Sequence, residues 1–213
     1  MSRDLRRFAY LCADPGIPVP GTKGASIHVA SVVQALCDQG LCGSIHTVRP
    51  TEAELWGVPV EELPFPPRRK GESDAERELR LFGSNGPLQL DTPRPDFIYE
   101  RYSLWHHGGL AEARRLGIPF VLEVNSPLPE EASRFRSMAH PRAALGVAEV
   151  LMKNADGIVC VSEAIASWVR ELGAPTERSW VVPNGGDETT FDPSREPRPL
   201  PFVGTPVVLI FVG

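Results

Sequence analysis

The sequence predicts an α/β protein, a doubly wound parallel sheet of Rossmann-like type. Apolar strand-like runs alternate along the chain with segments of helical period. The connections between them are short, and glycines close the helices at Gly40, Gly117 and Gly173.

The elements follow in order. Phe8 to Asp14 reads as a buried strand and Pro15 to Thr22 as a Pro/Gly loop. Val29, Val32, Val33, Leu36 and Cys37 fall at i, i+3, i+4, i+7 and i+8, one face of a helix that Gly40 stops. Ser44 to Val48 is a second strand. Residues 50–95, with Pro64, Pro66, Pro67 and the basic trio Arg68, Arg69 and Lys70, read as an exposed excursion holding a short helix over Ser73 to Leu81. Order resumes with a strand at Asp96 to Tyr102, a helix at Leu104 to Leu116 and a strand at Phe120 to Val124. A helix at Ala143 to Asn154, a strand at Gly157 to Ser162, a helix at Glu163 to Leu172 and a short strand at Trp180 to Val182 complete the alternation.

Residues 1–195 therefore form one expected domain and the proline-rich residues 196–206 a linker. Residues 207–213, Val-Val-Leu-Ile-Phe-Val-Gly, read as the first strand of a second domain that the chain lacks. The alternative is a last edge strand of the same sheet.

Composition narrows the function classes. The 213 residues are 42% hydrophobic and carry a formal net charge of −5, a poor match to a general nucleic-acid binder. The longest apolar run, Val207 to Val212, is far short of the roughly 18 residues of a membrane span. Met1 to Arg7 is polar, without the apolar core of a signal peptide. Cys12, Cys37, Cys42 and Cys160 show neither metal-ligand spacing nor a disulfide framework, which suits a reducing cytoplasm. No D-x-D, H-E-x-x-H or G-x-S-x-G pattern occurs, so no metal site is expected. His106 and His107, adjacent on the expected helix, read as surface residues.

Ligands of open parallel sheets bind beyond the carboxyl ends of the strands. Asp14, His46, Thr47, Glu100, Arg101, Tyr102, Glu123, Asn125, Ser162 and Asn184 fall there. The loop Gly21-Thr22-Lys23-Gly24-Ala25 precedes the first helix, whose N-terminus favours anions. The loop departs from a Walker A motif, because its Thr precedes its Lys, and it also lacks G-x-G-x-x-G. Ser162 reads as an N-cap, with Glu163 in the first turn.

Several segments resemble the N-terminal domain of glycosyltransferase family 4, enzymes of the GT-B fold. They are Gly24-Ala-Ser-Ile-His-Val29, Phe97-Ile-Tyr-Glu-Arg-Tyr-Ser103, Val121-Leu-Glu-Val-Asn125, Ala155-Asp-Gly-Ile-Val-Cys-Val-Ser-Glu163 and Val181-Val-Pro-Asn-Gly-Gly-Asp187 with Phe191 and Pro193. The chain departs from the pattern where Lys23 precedes Gly24 and where Glu123 and Asn125 occupy the region in which many members carry a histidine.

The resemblance implies half of a retaining glycosyltransferase that moves sugar from a nucleotide diphosphate sugar to an acceptor hydroxyl, without a cofactor or metal. It implies Glu123 and Asn125 beside the chemistry. Gly21, Lys23, Gly24 and Ala25 would lie at the donor diphosphate, and Arg101, Tyr102, Ser162 and Asn184 on the acceptor side. The acceptor would be a carbohydrate or a lipid-linked molecule. Partners would be the donor, the acceptor and the chain's own absent C-terminal domain, with no nucleic acid. Location would be cytoplasmic, with a candidate contact to the inner face of the membrane through Arg68-Arg69-Lys70 and Arg134 to Met138. A non-catalytic doubly wound module binding a phosphorylated small ligand is the alternative.

Overall fold

The computed structural model describes residues 5–90, 93–186 and 194. Its elements run β1 (Arg7–Cys12), α1 (Gly24–Asp38), β2 (Cys42–Thr47), β3 (Glu54–Leu55), β4 (Val58–Glu62), α2 (Asp74–Gly83), β5 (Phe97–Arg101) and α3 (Gly108–Leu116). Then follow β6 (Phe120–Val124), α4 (Leu128–Phe135), α5 (Pro141–Asn154), β7 (Gly157–Cys160), α6 (Glu163–Glu171) and β8 (Ser179–Val181). Met1–Pro183 forms one compact unit and Asn184–Gly213 a second. The expected linker at 196–206 and strand at 207–213 lie outside the described residues.

The eight strands make one sheet in the order β3-β4-β2-β1-β5-β6-β7-β8. Every pairing is parallel except β3 with β4. The chain builds outward from β1 to β4, returns to the centre and builds the other way from β5 to β8. Crossovers between parallel strands are right-handed, so reversing direction moves the helices to the opposite face. Alternation along each strand sorts the residues accordingly. Phe8, Tyr10, Cys12 and Phe97 pack with Val29 and Val33 of α1. Ala9, Leu11, Ile98 and Leu122 pack with Leu110, Leu151 and Val169 of α3, α5 and α6. Each fully buried aliphatic side chain contributes about 1.5–3 kcal/mol of apolar burial. The three helix-closing glycines take positive φ, +80° at Gly40, +63° at Gly117 and +93° at Gly173, where a Cβ would be strained.

Three expectations need correction. Residues 50–95 are not wholly an excursion, because β4 extends the sheet alongside β2, pairing Ile45 with Val60. Pro59 disguises that strand in the sequence, but it sits opposite Glu54 on the short outer hairpin. The hairpin turns at Trp56 and Gly57, both at positive φ (52° and 81°), the backbone that a two-residue connection needs. Second, α4 occupies a stretch to which the sequence assigned no element, with Pro127 at its N-cap and Pro129 in its first turn. Proline is tolerated in a first helical turn. Third, α3 starts at Gly108 rather than Leu104, because Trp105 stands at φ +72° and cannot continue a right-handed helix.

The expected helix at Ser73 forms α2 with a reciprocal cap: Glu76 N–H donates to Ser73 Oγ, and Ser73 N–H donates to Glu76 Oε2. Arg80 clamps Glu72 through two bonds of 2.6 and 2.8 Å, and the hydrogen bond from Arg80 holds the Glu72 carboxyl down at about 2. Arg77 donates to Pro66 O at 2.5 Å and lies over the Phe65 ring. These bonds tie the proline-rich strap to α2. Among the described residues no helix is long and apolar enough to cross a membrane.

Candidate functional site

The strand order reverses between β1 and β5, so the loops that follow these strands diverge and leave a crevice at the carboxyl edge. The first loop is internally braced. Asp14 Oδ1 accepts from Gly16 N–H at 2.7 Å, Lys23 Nζ donates to Gly16 O at 3.0 Å and Thr51 Oγ1 donates to Pro20 O at 2.6 Å. Gly21 has no room for a side chain, since a Cβ would meet Pro18 O and Ser26 Oγ at 2.7 Å each. Gly24, by contrast, faces open space, and Ala25 packs partly against the α1-side core. The first turn of α1 has no side-chain cap and no acidic residue, which leaves its first N–H groups without an intrahelical or capping acceptor.

Glu123 at the end of β6 is the hub of the α1-side face. It is 1% exposed, yet four side chains reach it. His28 Nε2 of α1 lies 2.8 Å from Oε1, Arg101 NH1 donates to Oε1 at 2.9 Å, Asn125 Nδ2 also donates to Oε1, and Tyr99 OH donates to Oε2 at 3.1 Å. Burial pushes the Glu123 carboxyl up. The hydrogen bond and charge of His28, then Asn125 and Arg101, outweigh burial and hold it below the usual carboxylate range. Burial, followed by the charge of Glu123, pushes the Tyr10 and Tyr99 hydroxyls well up, so both stay neutral, Tyr99 as a donor to Glu123 and Tyr10 without a partner. Glu123 is thus an enclosed anchor, and His28 (22% side-chain exposure) and Arg101 (13%) are the groups it presents toward the cleft.

Of the residues singled out in the sequence, Arg101, Glu123 and Asn125 come together in this cluster, with Lys23 and Gly24 in the neighbouring loop. Tyr102 does not join them. It follows Arg101 by one residue, so the strand alternation turns it to the opposite face. There it is 5% exposed, packed against Trp168 at 6.3 Å, with its hydroxyl unpartnered. Ser162 caps α6, accepting from Ile165 N–H at 3.3 Å, as expected. Asn184 belongs to the second unit.

His28 was not selected in the sequence, although it sits inside the quoted Gly24 to Val29 motif. Its fifth position along α1 places it over β5 and β6, and only the strand order makes that visible. His106 corrects another reading. It is no surface residue: its Nδ1 lies 2.7 Å from Glu100 Oε1, and Glu100 is fully buried on the α3 face. Glu100 Oε2 has no partner and lies against Gly109, where a Cβ would come within 1.8 Å of it.

In the candidate membrane contact, Arg68 pairs with Asp74 at 2.6 Å, and Phe135 is 76% exposed. Among the described residues no group of three or more His, Cys, Asp or Glu side chains is placed to hold a metal ion.

A relative of known activity, a D-inositol 3-phosphate glycosyltransferase of Nocardiopsis dassonvillei, is 26% identical over 91% of this chain and 50% of its own length. Among solved structures, Anabaena HepE in complex with UDP and glucose superposes with a TM-score of 0.56 at 17% identity, covering 86% of this chain and 46% of that one. A sucrose-phosphate synthase from Thermosynechococcus elongatus gives 0.57 at 13% identity, covering 86% and 49%. The chain therefore spans about half the length of these proteins, and its fold is one Rossmann-like half of a GT-B architecture. The model of the glycosyl transferase 4-like domain matches residues 23–185, and the chain belongs to that family.

Proposed function

We propose that this domain is the acceptor-side half of a retaining glycosyltransferase that moves sugar from a nucleotide diphosphate sugar to an acceptor hydroxyl. The observation that carries this reading is the Glu123 cluster. One buried carboxylate fixes His28, Arg101 and Asn125 at the carboxyl ends of two adjacent strands, beside an uncapped helix N-terminus. Arg101 and the α1 N–H groups are suited to a departing diphosphate. His28, oriented by Glu123, and Asn125 are suited to the reacting sugar and the incoming hydroxyl. Gly21, Lys23, Gly24 and Ala25 form the diphosphate-side loop. No cofactor or metal takes part in this reading.

The glycosyltransferase activity in the relative's name and the UDP in the HepE complex support a nucleotide-sugar donor in general terms. Catalysis further requires a nucleotide-binding half, so residues 1–213 by themselves are expected to leave UDP-glucose unconsumed. The test is sugar transfer by the complete transferase carrying His28→Ala, Arg101→Ala or Asn125→Ala, each checked for fold by circular dichroism. We expect each to cut kcat by about 10²-fold or more, in the range of a lost electrostatic or acid–base group. Unchanged transfer in all three folded variants would sink the reading.

A further inference from the structure

On the other side of the crevice, the loops after β1, β2, β4 and β5 enclose a cavity of about 350 Å3, and a second of about 320 Å3 adjoins it. Ala13, Phe65, Leu81, Leu104 and Trp105 line both. The larger cavity has no Lys, Arg, Asp or Glu in its wall. Most polar groups there are already engaged in building it. Asn85 Nδ2 donates to Leu81 O and Trp105 O, its Oδ1 accepts from His107 N–H, and Ser84 Oγ donates to Arg80 O. The smaller cavity adds Asp14 and Glu131 against the single cation Arg136, a balance that opposes an anion.

His106 is the titratable side chain of the larger cavity. Its Nδ1 faces Glu100, and its Nε2 makes no hydrogen bond among the described residues. With Nδ1 occupied by the carboxylate, Nε2 is left to bond a ligand hydroxyl, which can both donate and accept. Glu100 lies fully buried with one oxygen unanswered, a costly arrangement for folding alone. Trp105 is held at φ +72°, where a bulky residue is strained, with its ring buried between the two cavities. Two locally unfavourable choices thus converge on one pocket wall.

We infer that this pocket is the acceptor subsite, and that it takes an uncharged acceptor with a compact apolar or aromatic body, seated on Trp105 and Phe65 with a hydroxyl bonded to His106 Nε2. The inference rests on the glycosyltransferase reading and narrows it. An inositol phosphate, the acceptor in the relative's name, would meet no cation in the larger cavity. The volume suits a small molecule rather than a long lipid chain.

The experiment titrates the 213-residue chain by calorimetry with two probes, phenyl β-D-glucoside and inositol 3-phosphate. It then repeats the titrations on Trp105→Gly and His106→Leu. Glycine suits φ +72°, so Trp105→Gly removes the ring while keeping the backbone, and circular dichroism checks that both variants fold. We expect saturable binding of the glucoside, weakened tenfold or more by either variant, and no binding of the phosphate. Glucoside binding that ignores both variants, or tighter binding of inositol 3-phosphate, overturns the subsite. Absence of glucoside binding to the wild-type chain overturns it equally. The two readings fail separately. If the complete transferase consumes UDP-glucose with an acceptor at rates indifferent to Trp105 and His106, the function stands and the subsite falls. If the glucoside binds with the expected variant pattern while no nucleotide sugar is ever consumed, the subsite stands and the transferase reading falls.

Discussion

Glu100 and Glu123 occupy paired strands of one sheet, both essentially inaccessible, yet they live under opposite electrostatic regimes. Glu123 faces α1 and is answered on both oxygens by two basic side chains, an amide and a phenol. Glu100 faces α3 and is answered on one oxygen by one histidine. A buried carboxylate is tolerated when its hydrogen-bonding capacity is filled, and is expensive when it is not. The saturated one therefore serves as a structural anchor for its neighbours. The half-answered one is better explained by the side chain it orients than by any stability it adds.

Removing each carboxylate tests that difference most directly. Glu123→Ala takes the shared partner from His28, Tyr99, Arg101 and Asn125, and we expect a loss of about 3–5 kcal/mol in urea unfolding of the chain. Glu100→Gln keeps an acceptor for His106 and removes a poorly compensated charge. It should change stability by no more than about 1 kcal/mol. Equal losses for the two would erase the contrast.

The acid limb of stability sharpens it next. The native Glu123 carboxyl lies below its ordinary range, so the unfolded chain takes up protons first as pH drops. Its stabilising contribution is complete above the unfolded value of about 4 and drains away as pH falls toward the native one. Glu123→Gln should accordingly flatten the decline of unfolding free energy below pH 5. An unaltered slope would show that the cluster does not hold the carboxylate ionised.

The same contrast between a filled and an open environment exists in the first loop. Gly21→Ala forces a Cβ against Pro18 O and Ser26 Oγ and should cost about 1–3 kcal/mol by thermal or urea unfolding. Gly24→Ala enters open space at the first helical position and should leave stability within about 1 kcal/mol of wild type, in the stabilising direction. Any loss of transfer in a folded Gly24→Val variant would then report on the ligand and not on the loop. The most local effect belongs to α2, which buries no residue. Ser73→Ala removes its reciprocal cap and should cost about 1 kcal/mol, read as local loss of amide protection over residues 74–77.

The elements that were legible in the sequence share one property: their signal is local. Val29, Val33 and Leu36 mark a helix face by spacing alone, and Gly40, Gly117 and Gly173 mark its stops by a backbone that only glycine adopts cheaply. The misread elements are those in which one residue spoke against its neighbours. Pro59 hid β4, Pro129 hid α4, and Trp105 delayed α3 by a left-handed φ that nothing in its type announces.

The candidate site divides along the same line. Composition and the strand–helix alternation by themselves determined the doubly wound fold, and they placed Arg101, Glu123 and Asn125 at the carboxyl edge of the sheet. Strand order alone decided the partners. The reversal at β1 and β5 brings His28, 95 residues away in sequence, to Glu123. The two-residue period of β5 sends Arg101 to one face and Glu100 and Tyr102 to the other. A side chain's residue type travels with the sequence, but its neighbours across a sheet depend on register and on which helix covers which face, and these are set only when the whole chain packs.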